Sequence, residues 1–274
     1  MIKVRDRDLT NEGISRRLKH GWFKIILLSL AGATVAYIAY PIANIFTLLE
    51  PTTFLESMAR REVADAFLLS LMTATISTLL VALFGIPLAY SLARSNFKGK
   101  FVLRLIVIMP LVLPPLASGA LLLGIFGPYS LLGKNFPLEF TQSVLGVIIA
   151  QTYVASPFMI LPSQASFESV DESYEKVARI LGKNRLETFL QVTLPLARTG
   201  ILVGFIMAWV RSVGELGATM MMAYNPHTIS VQIFEDNAIG GLPNSLPGIL
   251  LVIVLSVMAL AVFSVVRKEA LKLS

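Results

Sequence analysis

Long apolar runs separated by short polar stretches set the pattern of this chain. They extend from Ile25 to about Leu49, Ala66 to Ala93, Val102 to Phe126, Val144 to Leu161, Leu196 to Ala223 and Leu246 to Val266. Each approaches the roughly 20 apolar residues that cross a hydrocarbon layer. The expected fold is all-α, a polytopic membrane protein with six transmembrane helices. The first run is preceded by arginines and contains the small pair Ala31 and Ala33, as a signal peptide would. It is too long for a cleaved signal core of about 7–15 residues. It reads as an uncleaved first span.

One extended stretch between spans breaks the pattern, from Ser169 to Thr193, between the fourth and fifth runs. Ser169-Val-Asp-Glu172 has the S-x-x-E form of a capping box, in which the Ser hydroxyl and the Glu carboxylate each satisfy a backbone N–H at a helix start. Val170, Tyr174, Val177, Ala178 and Leu181 then fall on one face at helical spacing. Gly182 supplies the left-handed residue that ends a helix. Asn184, with Glu187 three positions on, starts a second short helix, which Pro195 is expected to close just after Thr193. The division that follows is a segment 1–24, one membrane domain 25–266 containing the loop 169–193, and a tail 267–274.

Composition agrees with the pattern. The chain is 55% hydrophobic with 23 Lys and Arg, 17 Asp and Glu and a net charge of +6, and its mean hydropathy is +0.73. Soluble domains run at roughly 45–50% apolar. The position of the basic residues decides what the charge means. They cluster before span one, between spans two and three (Arg94, Lys98, Lys100, Arg104), between spans four and five (Lys176, Arg179, Lys183, Arg185, Arg198) and after span six. The alternate loops hold only Arg60, Arg61 and Lys134. Basic residues are retained on the cytoplasmic side, so both termini and the 169–193 loop are expected there. The charge is accounted for by topology, and a nucleic-acid partner is not implied.

Candidate chemistry is sparse. The absence of cysteine excludes disulfides and thiolate metal sites, and His20 and His227 lie too far apart in sequence to imply a metal site. No G-x-x-x-x-G-K-[ST], H-E-x-x-H or G-x-S-x-G occurs, so no catalytic residue is assigned and the chain is not expected to hydrolyse nucleotide itself. Span three carries Pro110, Pro114, Pro115, Ser118 and Gly119, and span two Gly85 and Pro87, which predicts broken or kinked helices. Such irregularity serves either packing or a wet pathway. In span five Gly200, Gly204, Ala208 and Ser212 recur every four residues, allowing close approach of a helix from the same subunit or from another. Arg211 and Glu215 stand four apart, where they can face each other. Arg211 lies about 16 Å along the helix from Gly200, near the middle of a core of roughly 30 Å. The pair must face protein or water, as packing or as part of transport.

Three stretches resemble the type I ABC importer permeases, most closely those for molybdate, tungstate or sulfate. Glu175-Lys-Val-Ala178-Arg-Ile-Leu-Gly182, continuing to Leu194-Pro195, is similar to their cytoplasmic E-A-A…G…L-P loop. Gly85 to Arg94 is similar to the end of their second span. Arg211-Ser-Val-Gly-Glu215-Leu-Gly-Ala218 is similar to the R-x-x-[GS]-E-F-G-A run of the oxyanion branch. Lys176 and Val177 depart from the first two letters of E-A-A, and Leu216 from the usual Phe.

The resemblance implies a permease subunit in a prokaryotic cell membrane, working by alternating access. Its partners would be two copies of a separate ATPase subunit that carries ATP and Mg, a second copy of the chain, and an extracytoplasmic oxyanion-binding protein. No cofactor would be bound by this chain. The ATPase would dock on Tyr174, Glu175, Lys176, Val177, Ala178, Leu181 and Gly182, with Val177, Ala178 and Leu181 as buried contacts and Tyr174 at the rim. Pro114, Ser118, Gly119, Gly204 and Ser212 are expected along the pathway or interface. Two alternatives stand beside this reading. One is an ion-coupled secondary transporter that titrates Arg211 and Glu215, and the other a structural subunit that moves nothing. Molybdate, tungstate and sulfate share charge and shape, and all three remain candidates.

Overall fold

The computed structural model describes residues 5–48 and 60–272. Two compact units divide at Pro51. The first contains one helix, α1 (Arg5–Leu48), whose segment Trp22–Leu48 is long and apolar enough to span a membrane. The expected end of span one at Leu49 lies outside the described residues.

The second unit is built on three long helices, α2 (Arg61–Arg94), α6 (Val144–Ser169) and α9 (Leu194–Val213). Their shared core holds Val81, Ala89, Leu92, Ala155, Met159, Phe167, Ala197 and Ala208, all buried. Small residues make the contact possible. A Cβ on Gly200 would lie 2.4 Å from Ser166 Cβ, and one on Gly204 would lie 2.9 Å from the Met159 carbonyl oxygen. The stripe on span five therefore serves packing against span four of the same chain. Gly204 is buried in that contact.

α2 also carries buried hydroxyls, which need hydrogen-bond partners where water is absent. Thr73 and Thr78 donate to the carbonyls of Leu69 and Ala74 one turn back. Ser77 donates towards Gln151 Oε1 at 3.1 Å on α6, and Ser70 accepts the Ile229 N–H at 2.7 Å. That last bond satisfies a free donor at the start of another helix.

The prolines of span three break it. α3 (Lys100–Val112) and α4 (Pro115–Phe126) flank Leu113 and Pro114, which have φ −70, ψ 137 and φ −54, ψ 137. Each of these two residues precedes a proline, whose ring excludes the helical region for its predecessor, so two successive residues become extended. Pro110 stays inside α3. A short α5 (Leu131–Asn135) follows, capped by the Ser130 hydroxyl.

Span four runs further than expected, from Val144 to Ser169, with Pro157 and Pro162 inside. The expected capping box at Ser169 does not form, because Ser169 is still helical and donates its hydroxyl to the Ser166 carbonyl. The next helix, α7 (Glu172–Ile180), is capped by Asp171, whose carboxylate accepts the Ser173 N–H at 2.8 Å. Gly182 ends it as expected, at φ +90. Lys183 N–H reaches the Ala178 carbonyl and Gly182 N–H the Arg179 carbonyl, the paired bonds of a Schellman motif.

α8 (Arg185–Thr188) opens with the expected box, Asn184 and Glu187 exchanging bonds of 2.8 and 2.9 Å. Pro195 does not close this helix. A π-helical turn, Phe189–Thr193, carries it directly into α9, with Pro195 in the first turn, the wider turn accommodating a ring that has no N–H to give to the turn before it. α9 stops at Val213 rather than near Ala223. After a break at Gly214 to Leu216 come α10 (Gly217–Met222) and α11 (Ile229–Lys272), kinked at Gly241 with φ +70. Six helices are long and apolar enough to cross a membrane among the described residues.

Candidate functional site

The loop between α6 and α9 brings together residues far apart in sequence. Glu175 is 5% exposed. Its carboxylate accepts from Arg94 Nε at 2.8 Å, from the Thr193 hydroxyl at 3.1 Å and from the Tyr90 hydroxyl at 3.2 Å. Arg179 Nη2 approaches at 3.5 Å. Arg94 also donates from Nη2 to the Val170 carbonyl at 2.7 Å. Beside this node the rings of Tyr90, Phe167 and Phe189 pack edge-on or tilted, the pairs Tyr90–Phe167, Tyr90–Phe189 and Phe167–Phe189 at centroid distances of 5.4, 4.8 and 6.0 Å. The end of α2, the end of α6, helix α7 and the start of α9 are thus fastened at one point. Severing a buried pair of this kind costs about 3–5 kcal/mol, since the surviving charge is left without a partner.

The other side of α7 is bare. Tyr174 is 57% exposed, Val177 53% and Leu181 76%, and Ile180, Leu186 and Leu190 are exposed beside them. Within the docking set, the structure separates two groups. Glu175 and Ala178 face the protein's own body and are covered by it. Position 175 points about 100° away from 174 around the helix, while 178 stands at the edge of the 174, 177, 181 face, on the side turned toward Glu175. Lys176 is exposed, and Gly182 sits at the exposed end of the helix. At the start of α7, hydrogen bonds from the Ser173 backbone N–H and hydroxyl hold the Asp171 carboxyl below the usual carboxylate range.

A second polar constellation lies where α9 breaks. Arg211 Nη1 is 2.5 Å from Glu215 Oε2, with side-chain exposures of 25% and 1%. The two face each other as expected but not on one helix, because α9 ends between them. Glu215 Oε1 accepts the Ala218 N–H at 2.7 Å and so holds the start of α10. Gly119 on α4 backs onto this turn. A Cβ there would lie 2.8 Å from Ala218 Cα.

Of the expected pathway residues, Pro114 is exposed at the break in span three. Ser118 and Ser212 are fully buried within the chain. Gly119 is closed off by Ala218 and Met221. Among the described residues, no group of three or more His, Asp or Glu side chains is placed to hold a metal. The sequence marks Arg94 only as one of the basic residues that set the topology, and gives Tyr90 and Thr193 no place in a site. Tyr90 and Arg94 stood within a stretch carrying the family resemblance, which was the available signal.

These elements define a polytopic helical membrane protein with a loop helix fastened on one side and uncovered on the other. Residues 82–268 match the family described as binding-protein-dependent transport system inner membrane component, and the chain belongs to that family. It is 40% identical over 248 residues to the probable molybdenum ABC transporter permease protein of Haloferax volcanii, covering 90% of this chain and 91% of that one. It is 36% identical to the molybdate/tungstate transport system permease protein WtpB of Pyrococcus abyssi, covering 88% and 93%. In fold it is similar to a bacterial alginate ABC transporter solved with its pentasaccharide-bound periplasmic protein. The TM-score is 0.74 at 15% identity, covering 94% of this chain and 97% of that one. The chain is therefore a multi-pass permease subunit of an ABC importer and not its ATP-hydrolysing subunit. The ion-coupled alternative is not favoured.

Proposed function

We propose that this permease passes molybdate or tungstate inward by alternating access between two copies of the chain. The substrate reading is supported by the relatives at 40% and 36% identity, which are named for molybdenum and for molybdate/tungstate. An external binding protein delivers the anion. Two ATPase subunits, which hold the ATP and Mg, dock on the α7 loop, and the loop and both termini are cytoplasmic.

The observation that carries the reading is the bare apolar face of Tyr174, Val177 and Leu181 on a helix whose opposite side is fixed by Glu175. An exposed apolar patch rimmed by charge is a partner surface, and a fixed underside lets a partner's movement reach the spans. The extended break around Pro114, on the open side of span three, lies along the pathway between copies. Arg211 and Glu215 serve as a packing pair that holds the α9–α10 turn.

Vesicles containing the chain with its ATPase subunit and binding protein test this directly. Molybdate and tungstate should accumulate only with ATP inside, with sulfate as competitor in the same titration. Accumulation by the chain alone, driven by an ion gradient, would overturn it.

A further inference from the structure

We infer that Glu175 is the positioning residue that couples ATP hydrolysis to transport, by clamping the docking helix to α2 through Arg94 and Tyr90 and to α9 through Thr193, with Arg94 extending the link to the end of α6. The inference rests on the ATP-driven reading given above and adds the internal linkage that reading requires.

Docking alone moves nothing. A partner that displaces α7 shifts the spans only if α7 cannot slide or tilt independently of them. The chain connections on either side of α7 are weak in this respect. Val170 and Asp171 before it are extended, and Gly182 after it sits at φ +90 with open space around it. Glu175 supplies the stiffness that the backbone lacks. Its carboxylate is reached from α2 by Arg94 and Tyr90 and from the α9 entry by Thr193. Arg94 simultaneously holds the Val170 carbonyl at the end of α6.

The π-helical turn belongs to the same device. Phe189 at its start packs on Tyr90 and Phe167, and Thr193 at its end is buried against Glu175. Phe189 and Thr193 stand four apart, so about one turn separates them and they share a side of the helix. Both ends of the turn thereby engage the node. The clamp is hydrogen-bonded and shielded from water, which makes it stiffer than a surface ion pair.

The test uses the full assembly in vesicles and reads ions transported per ATP hydrolysed. Wild-type vesicles come first: failure to transport molybdate or tungstate with ATP sinks the functional reading, whatever the clamp does. Given transport, Glu175→Ala should lower the ratio roughly tenfold while ATPase subunit and hydrolysis persist. Glu175→Gln keeps the shape and can still accept from Arg94, so it should lower the ratio less. An unchanged ratio in Glu175→Ala overturns the clamp. So does loss of ATPase association in both variants, because Glu175 would then act in docking. If Glu175→Ala does not assemble, Thr193→Val and Tyr90→Phe remove single outer bonds. Each should lower the ratio by about twofold to threefold, and no change in either overturns the inference.

Discussion

Arg60 grips Asp236 with both terminal nitrogens, Nη1 at 3.2 Å from Oδ1 and Nη2 at 2.9 Å from Oδ2. The pair joins the start of α2 to the first part of α11, at the opposite end of α2 from Arg94. Asp236 is 5% exposed and has one other donor, Gln232 Nε2 at 3.1 Å. Arg60→Ala is expected to cost about 2–3 kcal/mol, somewhat below the figure for a fully buried pair because the guanidinium is partly open to solvent. Asp236→Asn should cost about 1 kcal/mol, since a neutral acceptor remains. Denaturant unfolding in detergent measures both. Equal costs would contradict the asymmetry.

Close helix approach gives a second prediction. Gly200→Ala places a methyl 2.4 Å from Ser166 Cβ, so α9 must move away from α6. Overpacking of this kind costs about 1–3 kcal/mol. Gly124→Ala meets nothing within 4 Å and should be neutral or mildly stabilising. Thermal unfolding of the two variants side by side separates packing from a general intolerance of substitution.

At Gly182 the constraint is backbone rather than space. An added Cβ meets nothing within 4 Å, but φ is +90. Ala and Leu should therefore impair the loop to similar extents, by about 1–2 kcal/mol, and Asn should be milder because it tolerates the left-handed region. Transport by the three variants checks this. A graded loss with side-chain volume would point to a steric role instead.

The pair at the α9 break predicts an inverted order of severity. Arg211→Ala leaves Glu215 buried and charged without its partner, at a cost of about 3–5 kcal/mol. Adding Glu215→Gln removes that charge and keeps an acceptor for the Ala218 N–H. The double variant should fold better than Arg211→Ala alone, as read by yield and unfolding midpoint. Survival of uptake in that double variant would also agree with a packing role.

Asp171 gives a pH dependence with a defined sign. Its folded carboxyl titrates below the usual value because Ser173 donates to it. The contribution is present above the ordinary carboxylate value of about 3.9 and disappears as pH falls through the lower, folded value. Amide-exchange protection of α7 should differ between wild type and Asp171→Ala at neutral pH. The difference should shrink in the acid range.

Periodicity and end signals made much of this fold legible. Gly182 and the Asn184–Glu187 box are local, and local chemistry decided them. The break in span three followed from consecutive prolines. Ser169 misled because a hydroxyl satisfies a carbonyl inside a helix as readily as an N–H at its start. Pro195 misled because a π-helical turn can feed a proline into the first turn of the next helix. The node at Glu175 was illegible for another reason. Arg94 and Tyr90 are 81 and 85 residues away, and amphipathic spacing shows which positions share a face but not which partner covers it. Ser118 and Ser212 likewise carry no mark that distinguishes interior from lining.

The absence of cysteine makes the central claim open to single-cysteine labelling. Cysteines placed one at a time at positions 174, 177, 178 and 181 would be exposed to a membrane-impermeant thiol reagent on each side of the bilayer, with and without the ATPase subunit. Positions 174, 177 and 181 should label only from the cytoplasmic side and become protected when the ATPase is bound, while 178 stays unreactive throughout. Labelling from the outer side, or no protection by the ATPase, would contradict the account.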